Sequence, residues 1–183
     1  MANADETEFL QPRVVHNKAI FLAAPDPSWA LAYADAESVI RAALGDRALT
    51  VEHVGSTSIP GLVAKPILDI MLLVADSADE SAYVPDLEAA GYVLFGREPH
   101  WQEHRILKHS GPDINLHVFK PGAVEAERLL RFRNWLRSRP DERDRYARVK
   151  QDLAAKEWHY VQDYADAKAE VVEEILARAK SGP

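Results

Sequence analysis

Residues 52–70 read Glu52-His53-Val54-Gly55-Ser56-Thr57-Ser58-Ile59-Pro60-Gly61-Leu62-Val63-Ala64-Lys65-Pro66-Ile67-Leu68-Asp69-Ile70. The alternation over 49–54 predicts a strand, and the glycines and small hydroxyls of 55–61 predict a loop. A second strand is expected over 66–74, where every residue is apolar except Asp69. Such a run belongs to an inner strand covered on both faces. A carboxylate there costs on the order of several kcal/mol unless something pairs with it. Asp69 therefore either has a structural cationic partner or lies at an opening where a metal or substrate binds. Strand periodicity places Ile67, Asp69, Met71 and Leu73 on one face. In the loop, Gly55 and Gly61 with Ser56, Thr57 and Ser58 allow backbone N–H groups to approach an anion closely. No Gly-Lys-Ser/Thr closes the loop as in a Walker A motif, and it is not a Gly-x-Ser-x-Gly nucleophile elbow. Lys65 is either a phosphate contact or a solvated loop lysine.

Outward from this segment, residues 1–18 have no clear periodicity and read as a tail. Ile20 to Leu22 suggest a short strand. Asp26-Pro27 and Gly45 bracket a helix over 27–44, with Trp29, Tyr33, Ala36, Ile40 and Ala43 on its buried face. A helical pattern over 77–90 is broken or restarted by Pro85. Strands are expected over 92–95, 103–108 and 114–119, the last two forming a hairpin about 109–113. From Gly122 to Lys180 the pattern is helical, interrupted near Pro140 and Trp158. The expected fold is α+β: a mixed sheet flanked by helices, one domain over 19–183, with a helical C-terminal third.

The 183 residues carry 22 Lys and Arg against 29 Asp and Glu, a net charge of −7, and contain no cysteine. Disulfides, thiolate–zinc sites and cysteine nucleophiles are excluded. No apolar run approaches the roughly 20 residues of a membrane span, and Met1 to Phe9 do not resemble a signal peptide. The cytoplasm is the expected location. Residues 128–150 hold nine basic and three acidic side chains, a local +6 that leaves −13 elsewhere. Such a segment is either a local anion site or a solvated, Arg-rich helix face. Extended nucleic acid is an unlikely partner for so acidic a chain.

Three basic residues fall on apolar helix stripes: Arg133 among Leu129, Phe132 and Leu136; Lys150 among Tyr146, Val149 and Leu153; Lys168 among Tyr164, Val171 and Ile175. They point either to structural ion pairs or to a shared anionic target, Asp69 or a triphosphate. Arg128, Arg131, Arg137, Arg139, Arg143, Arg145 and Arg148 read as surface charge. His100-x-x-Glu103-His104 matches a zinc-protease pattern, but Pro99 and a strand-like alternation deny it the helix it needs. His53 reads as a core residue.

The segment 52–70 closely resembles the hallmark of the GrpB (UPF0157) family. The resemblance extends through Trp29, Leu116-His117-Val118, Phe132-Arg133-Asn134-Trp135-Leu136, Tyr146 with Lys150, and Tyr164 with Lys168. It implies a nucleotidyltransferase-like fold and, in some bacteria, fusion to dephospho-CoA kinase. Carried over, it implies phosphate contacts at Gly55, Ser56 and Thr57 and a metal ligand at Asp69. Nucleotidyltransferases place a second acid two residues further along, where this chain has Met71. Glu52 and His117 are the available substitutes, as catalytic residues and as ligands with Asp69 of Mg²⁺ or another divalent ion. Lys65, Arg133, Lys150 and Lys168 would neutralise the phosphates. Two functions are expected: nucleotidyl transfer from an NTP to a small acceptor, or nucleotide sensing and partner docking by a catalytically degenerate module.

Overall fold

The computed structural model describes residues 7–10, 15–109 and 111–181. Six strands form one mixed sheet: β1 (Glu8–Phe9), β2 (Thr50–Val54), β3 (Leu68–Leu73), β4 (Tyr92–Glu98), β5 (His104–His109) and β6 (Ile114–Phe119). Their spatial order is β1-β4-β5-β6-β3-β2, with β3 and β6 parallel and every other neighbouring pair antiparallel. The helices are α1 (Ser28–Leu44), α2 (Val84–Ala89), α3 (Val124–Ser138), α4 (Pro140–Ala154), α5 (Val161–Asp166) and α6 (Ala169–Ser181).

The two faces of β3 have different fates. Leu68, Ile70 and Leu72 join Val51, Leu116 and Val118 in a core closed by Ala36, Ile40 and Leu44 of α1 and by Val84 and Leu87 of α2. All five residues expected on the buried face of α1 pack into this core. On the opposite face, Met71 is fully buried with Val54, Phe119, Ala123 and Ala126 beneath α3. A third cluster holds Ile59 and Leu62 of the 55–62 loop against Leu136, Tyr146, Val171 and Ile175. The helical third of the chain thus clamps the loop that the sequence singles out.

Several boundaries shift for local reasons. The expected strand at Ile20 to Leu22 does not form. Ile20 N–H bonds instead to Ala154 O at 2.9 Å, and Ala23 makes a single bridge with Ala64, so no partner runs alongside for more than one residue. Within the expected tail, Glu8 and Phe9 pair with Arg97 and Gly96 as an edge strand, while residues 1–6 and 11–14 lie outside the described part. The β4 strand runs on to Glu98 because β1 and β5 extend its ladders. Pro85 restarts the chain as the short α2, where its missing N–H is not needed. A further break between α5 and α6 places Lys168 at a helix junction.

Candidate anion-binding site

The loop after β2 is built around contact with Asp69. Gly55 has φ of +66°, and a Cβ there would lie 2.3 Å from Asp69 Oδ2, so both backbone and space demand glycine. Ser58 Oγ donates to Gly55 O at 2.6 Å and closes the turn. Thr57 Oγ1 donates to Ile67 O at 3.1 Å and stands 3.0 Å from His53 Nε2, whose N–H it accepts. Burial, aided by Arg137 and Arg133, pushes His53 down to about 4, and its ring stacks on Tyr33. Thr57 is therefore a buried tie between loop and strand. Its hydroxyl is spent inside the protein, which leaves the backbone N–H groups of the loop for the expected phosphate contact.

Asp69 sits opposite Val54 on one side and Asn115 on the other. Asn115 Nδ2 donates to Asp69 Oδ1 at 2.9 Å, and His117 Nε2 lies 3.7 Å from the same oxygen. Burial raises the Asp69 carboxyl, but His117, Asn115 and the Lys65 ammonium outweigh it and hold the group below the usual range. The side chain remains 32% exposed, so it faces an opening.

Three of the predicted cations gather here. Lys65 from the loop, Lys150 from α4 and Lys168 from the α5–α6 junction all interact electrostatically with Asp69. Lys150 Nζ donates to Val63 O at 2.5 Å, and the residue is only 2% exposed. Lys168 Nζ lies 4.3 Å and Lys65 Nζ 5.9 Å from the centre of the Tyr164 ring, while Lys150 Nζ lies 5.4 Å from that of Tyr146. Burial lowers all three lysines and neighbouring lysines lower them further; Lys168 falls to about 8 and Lys150 goes well below its ordinary value. Ser56 lies beside the Tyr146 hydroxyl and partly offsets the burial that raises it, and the buried Tyr164 hydroxyl has no partner among the described residues. Three lysines thus lie within electrostatic reach of one carboxylate, with the Tyr164 ring beneath two of them.

Arg133 and Glu52 do not join the cluster. Arg133 Nη1 donates to Glu52 Oε2 at 2.6 Å and to His53 O at 2.8 Å, so the arginine expected on phosphate is a brace between α3 and β2. Glu52 stands opposite Met71, two register positions beyond Asp69, with its carboxylate engaged by Arg133. Among the described residues, no three His, Asp or Glu side chains are grouped to hold a metal ion. The Asp69, Glu52 and His117 set expected for Mg²⁺ therefore does not assemble, and no chemistry is routed through it.

Part of the +6 segment is consumed by ion pairs with carboxylates outside it: Arg128 with Glu125 and Glu173, and Arg145 with Glu174. Arg137, expected on the surface, donates Nε and Nη2 to Ser58 O at 2.9 and 2.7 Å and pins the loop. His100 and His104 are not helical; His104 opens β5 and is buried. His104 Nδ1 is 2.6 Å from Glu98 Oε2, and its Nε2 is 3.1 Å from His117 Nδ1. Neither His104 nor Glu98 is singled out as a site residue by sequence reasoning. The signal available was the hairpin register, which sets Ile106 opposite His117 and brings His104 to the same face.

Residues 19–178 match the family model described as GrpB protein. A UPF0157 protein of Halalkalibacterium halodurans is 57% identical over 166 residues, covering 91% of this chain and 85% of that protein. The crystal structure of the conserved protein GrpB from Enterococcus faecalis is similar with a TM-score of 0.74 at 26% identity, covering 88% of this chain and 98% of that one. A dephospho-CoA kinase of Mycolicibacterium paratuberculosis is 29% identical over 167 residues, covering 77% of this chain and 41% of the kinase. Among the described residues, no helix is long and apolar enough to cross a membrane.

Proposed function

The chain belongs to the GrpB family, and we propose that it binds a compact phosphorylated ligand, a nucleotide or related phosphate ester, in the pocket around Asp69. The observation that carries this reading is the gathering of Lys65 and Lys168 over the Tyr164 ring and of buried Lys150 beside Tyr146, all within electrostatic reach of a single carboxylate. Buried like charges raise one another's cost, and a phosphate relieves it for all three at once. Gly55 and Ser56 border the pocket through Asp69 and Tyr146. The similarity to part of a dephospho-CoA kinase supports a small phosphorylated molecule as the ligand class. The sensing form of this reading gains from Met71, which is sealed in an apolar cluster, and from Glu52, which is tied to Arg133.

Nucleotidyl transfer to a small acceptor is the second reading, favoured by the contact between Gly55 and Asp69 on adjacent elements. A thermal-shift panel of inorganic phosphate, AMP and ATP on wild type and Lys168→Met tests the binding. A bound ligand stabilises by RT ln(1 + [L]/Kd), about 2.7 kcal/mol at a hundredfold excess over Kd. Wild type rises with at least one member of the panel and the variant does not. A wild type unmoved by the whole panel overturns the reading, and turnover of radiolabelled NTP with an acceptor selects transfer over sensing.

A further inference from the structure

Behind Asp69 lies a line of side chains that the phosphate reading does not use. It runs from Glu98 on β4 through His104 on β5 to His117 on β6, with Oε2 to Nδ1 at 2.6 Å and Nε2 to Nδ1 at 3.1 Å. Thr7 Oγ1 donates to the other Glu98 oxygen at 2.6 Å, and the His104 ring is enclosed by Phe119 and Trp101. The direction of the hydrogen bonds follows from the ends. Glu98 is held as a carboxylate: burial raises it, and the bonds from His104 and Thr7 lower it further than that. The His104 Nδ1 must therefore carry a proton, and burial keeps the ring neutral, down to about 4. Its Nε2 is then bare and accepts the Nδ1–H of His117.

A protonated His117 turns its Nε2–H toward Asp69 and lowers that carboxyl; in the neutral ring the relay leaves Nε2 without a proton, facing Asp69 Oδ1 across 3.7 Å. Two acceptors face each other, and Asn115 already gives its N–H to the same carboxylate oxygen. Both side chains reach the opening, His117 at 24% and Asp69 at 32% exposure. A hydroxyl of a ligand placed between them supplies the missing donor. We propose that Glu98 and His104 are positioning residues that fix His117 as a hydrogen-bond acceptor, and that His117 Nε2 with Asp69 Oδ1 clamps a hydroxyl of a phosphate ester whose phosphate lies among the lysines. This rests on the phosphate reading for one end of the ligand, and it specifies the other end: an ester bearing a free hydroxyl.

The test begins without ligand. Imidazole ¹⁵N shifts at neutral to mildly alkaline pH show His104 and His117 each protonated at Nδ1. In His104→Phe the neutral His117 shifts toward the Nε2–H form, the commoner tautomer in water. The isosteric Glu98→Gln variant keeps the packing if the phenylalanine does not, and moves the populations the same way by less. A wild-type His117 already in the Nε2–H form, or one indifferent to both variants, overturns the relay. The second stage titrates glycerol 3-phosphate and propyl phosphate, which share their charge and differ in hydroxyls. The hydroxylated ester binds at least about fivefold more tightly and shifts His117 Nε2; equal affinities overturn the clamp. If neither ester moves the Lys150 side-chain signals, the phosphate reading fails and the clamp fails with it, while the tautomer result stands apart.

Discussion

Lys150→Met separates a lysine kept for a ligand from one kept for the fold. The ammonium group is almost wholly buried, its one hydrogen-bond acceptor is Val63 O, and it lies near two other lysines. Replacing a buried charge with an apolar side chain of similar size is worth about 1–4 kcal/mol. The charged hydrogen bond to Val63 O is lost, which takes back about 1.5–3 kcal/mol. Repulsion from Lys168 and Lys65 together outweighs the attraction of Asp69 and places the gain in the upper part of its range, so the net change is about 1 kcal/mol of added stability. For a chain of this length that raises Tm by about 2–4 °C. Differential scanning calorimetry in a phosphate-free buffer reads it directly. Added inorganic phosphate stabilises wild type and leaves the variant's Tm unchanged, so the order of the two melts reverses at high phosphate. A variant that melts several degrees below wild type and still responds to phosphate refutes the reasoning, because Lys150 would then be a structural element and no anion contact.

Lys168 is lowered to about 8 by burial and by Lys65, so the unfolded chain binds more protons than the folded one above that pH. Stability without anions therefore rises between about pH 8 and 9.5, and Lys168→Met or saturating phosphate flattens that slope in Tm against pH. Gly55→Ala combines a backbone conformation reserved for glycine with a clash against Asp69, costing about 3 kcal/mol or more in urea unfolding; an unchanged midpoint would contradict the close approach. Arg133→Met leaves His53 O and Glu52 without their donor, lowering stability by about 2 kcal/mol. Because Arg133 braces strand to helix, the affinity for inorganic phosphate measured by calorimetry stays within about threefold.

Much of the architecture was legible because one face of each element is buried. The apolar run around Asp69, the α1 stripe and the hairpin all follow from periodicity and turn residues. Charge was a poorer guide. The Arg-rich segment gave the strongest compositional signal for an anion site, yet Arg128 and Arg145 are tied to carboxylates of α6. Helical spacing marks Arg133 and Lys150 as equally misplaced, because it reports which face of a helix a residue occupies. Which strand that face meets is set by the packing of α3 and α4, so Arg133 arrives at Glu52 and Lys150 at Val63. The Glu98–His104–His117 line was hidden for a related reason: its members come from three strands, and only their registers bring them into line.

Met71 occupies the position where the resemblance to nucleotidyltransferases requires an acid, and restoring it tests whether the pocket is one substitution from that site. The Met71 side chain is fully buried, opposite Glu52 on β2 and His117 on β6, with Phe119, Ala123 and Ala126 over it. Along the strand, alternate residues are about 6.6 Å apart, close enough for a second acid to work beside Asp69 if the space between them were open. Here α3 closes over position 71, while the Asp69 side chain stays partly exposed. In Met71→Asp the new carboxylate enters an apolar cluster, and the Arg133 guanidinium beside its cross-strand neighbour Glu52 is already engaged by that glutamate. Burying it costs on the order of several kcal/mol, read as a fall in Tm of about 10 °C or as failure to fold. Met71→Leu, which keeps the cluster apolar, stays within a few degrees of wild type. A Met71→Asp protein that melts with wild type and acquires metal-dependent turnover of NTP would refute this, because position 71 would then open onto the ligand. The outcome expected from the packing is that the Met71 position has become part of the core, and that a single restored acid does not return it to the pocket.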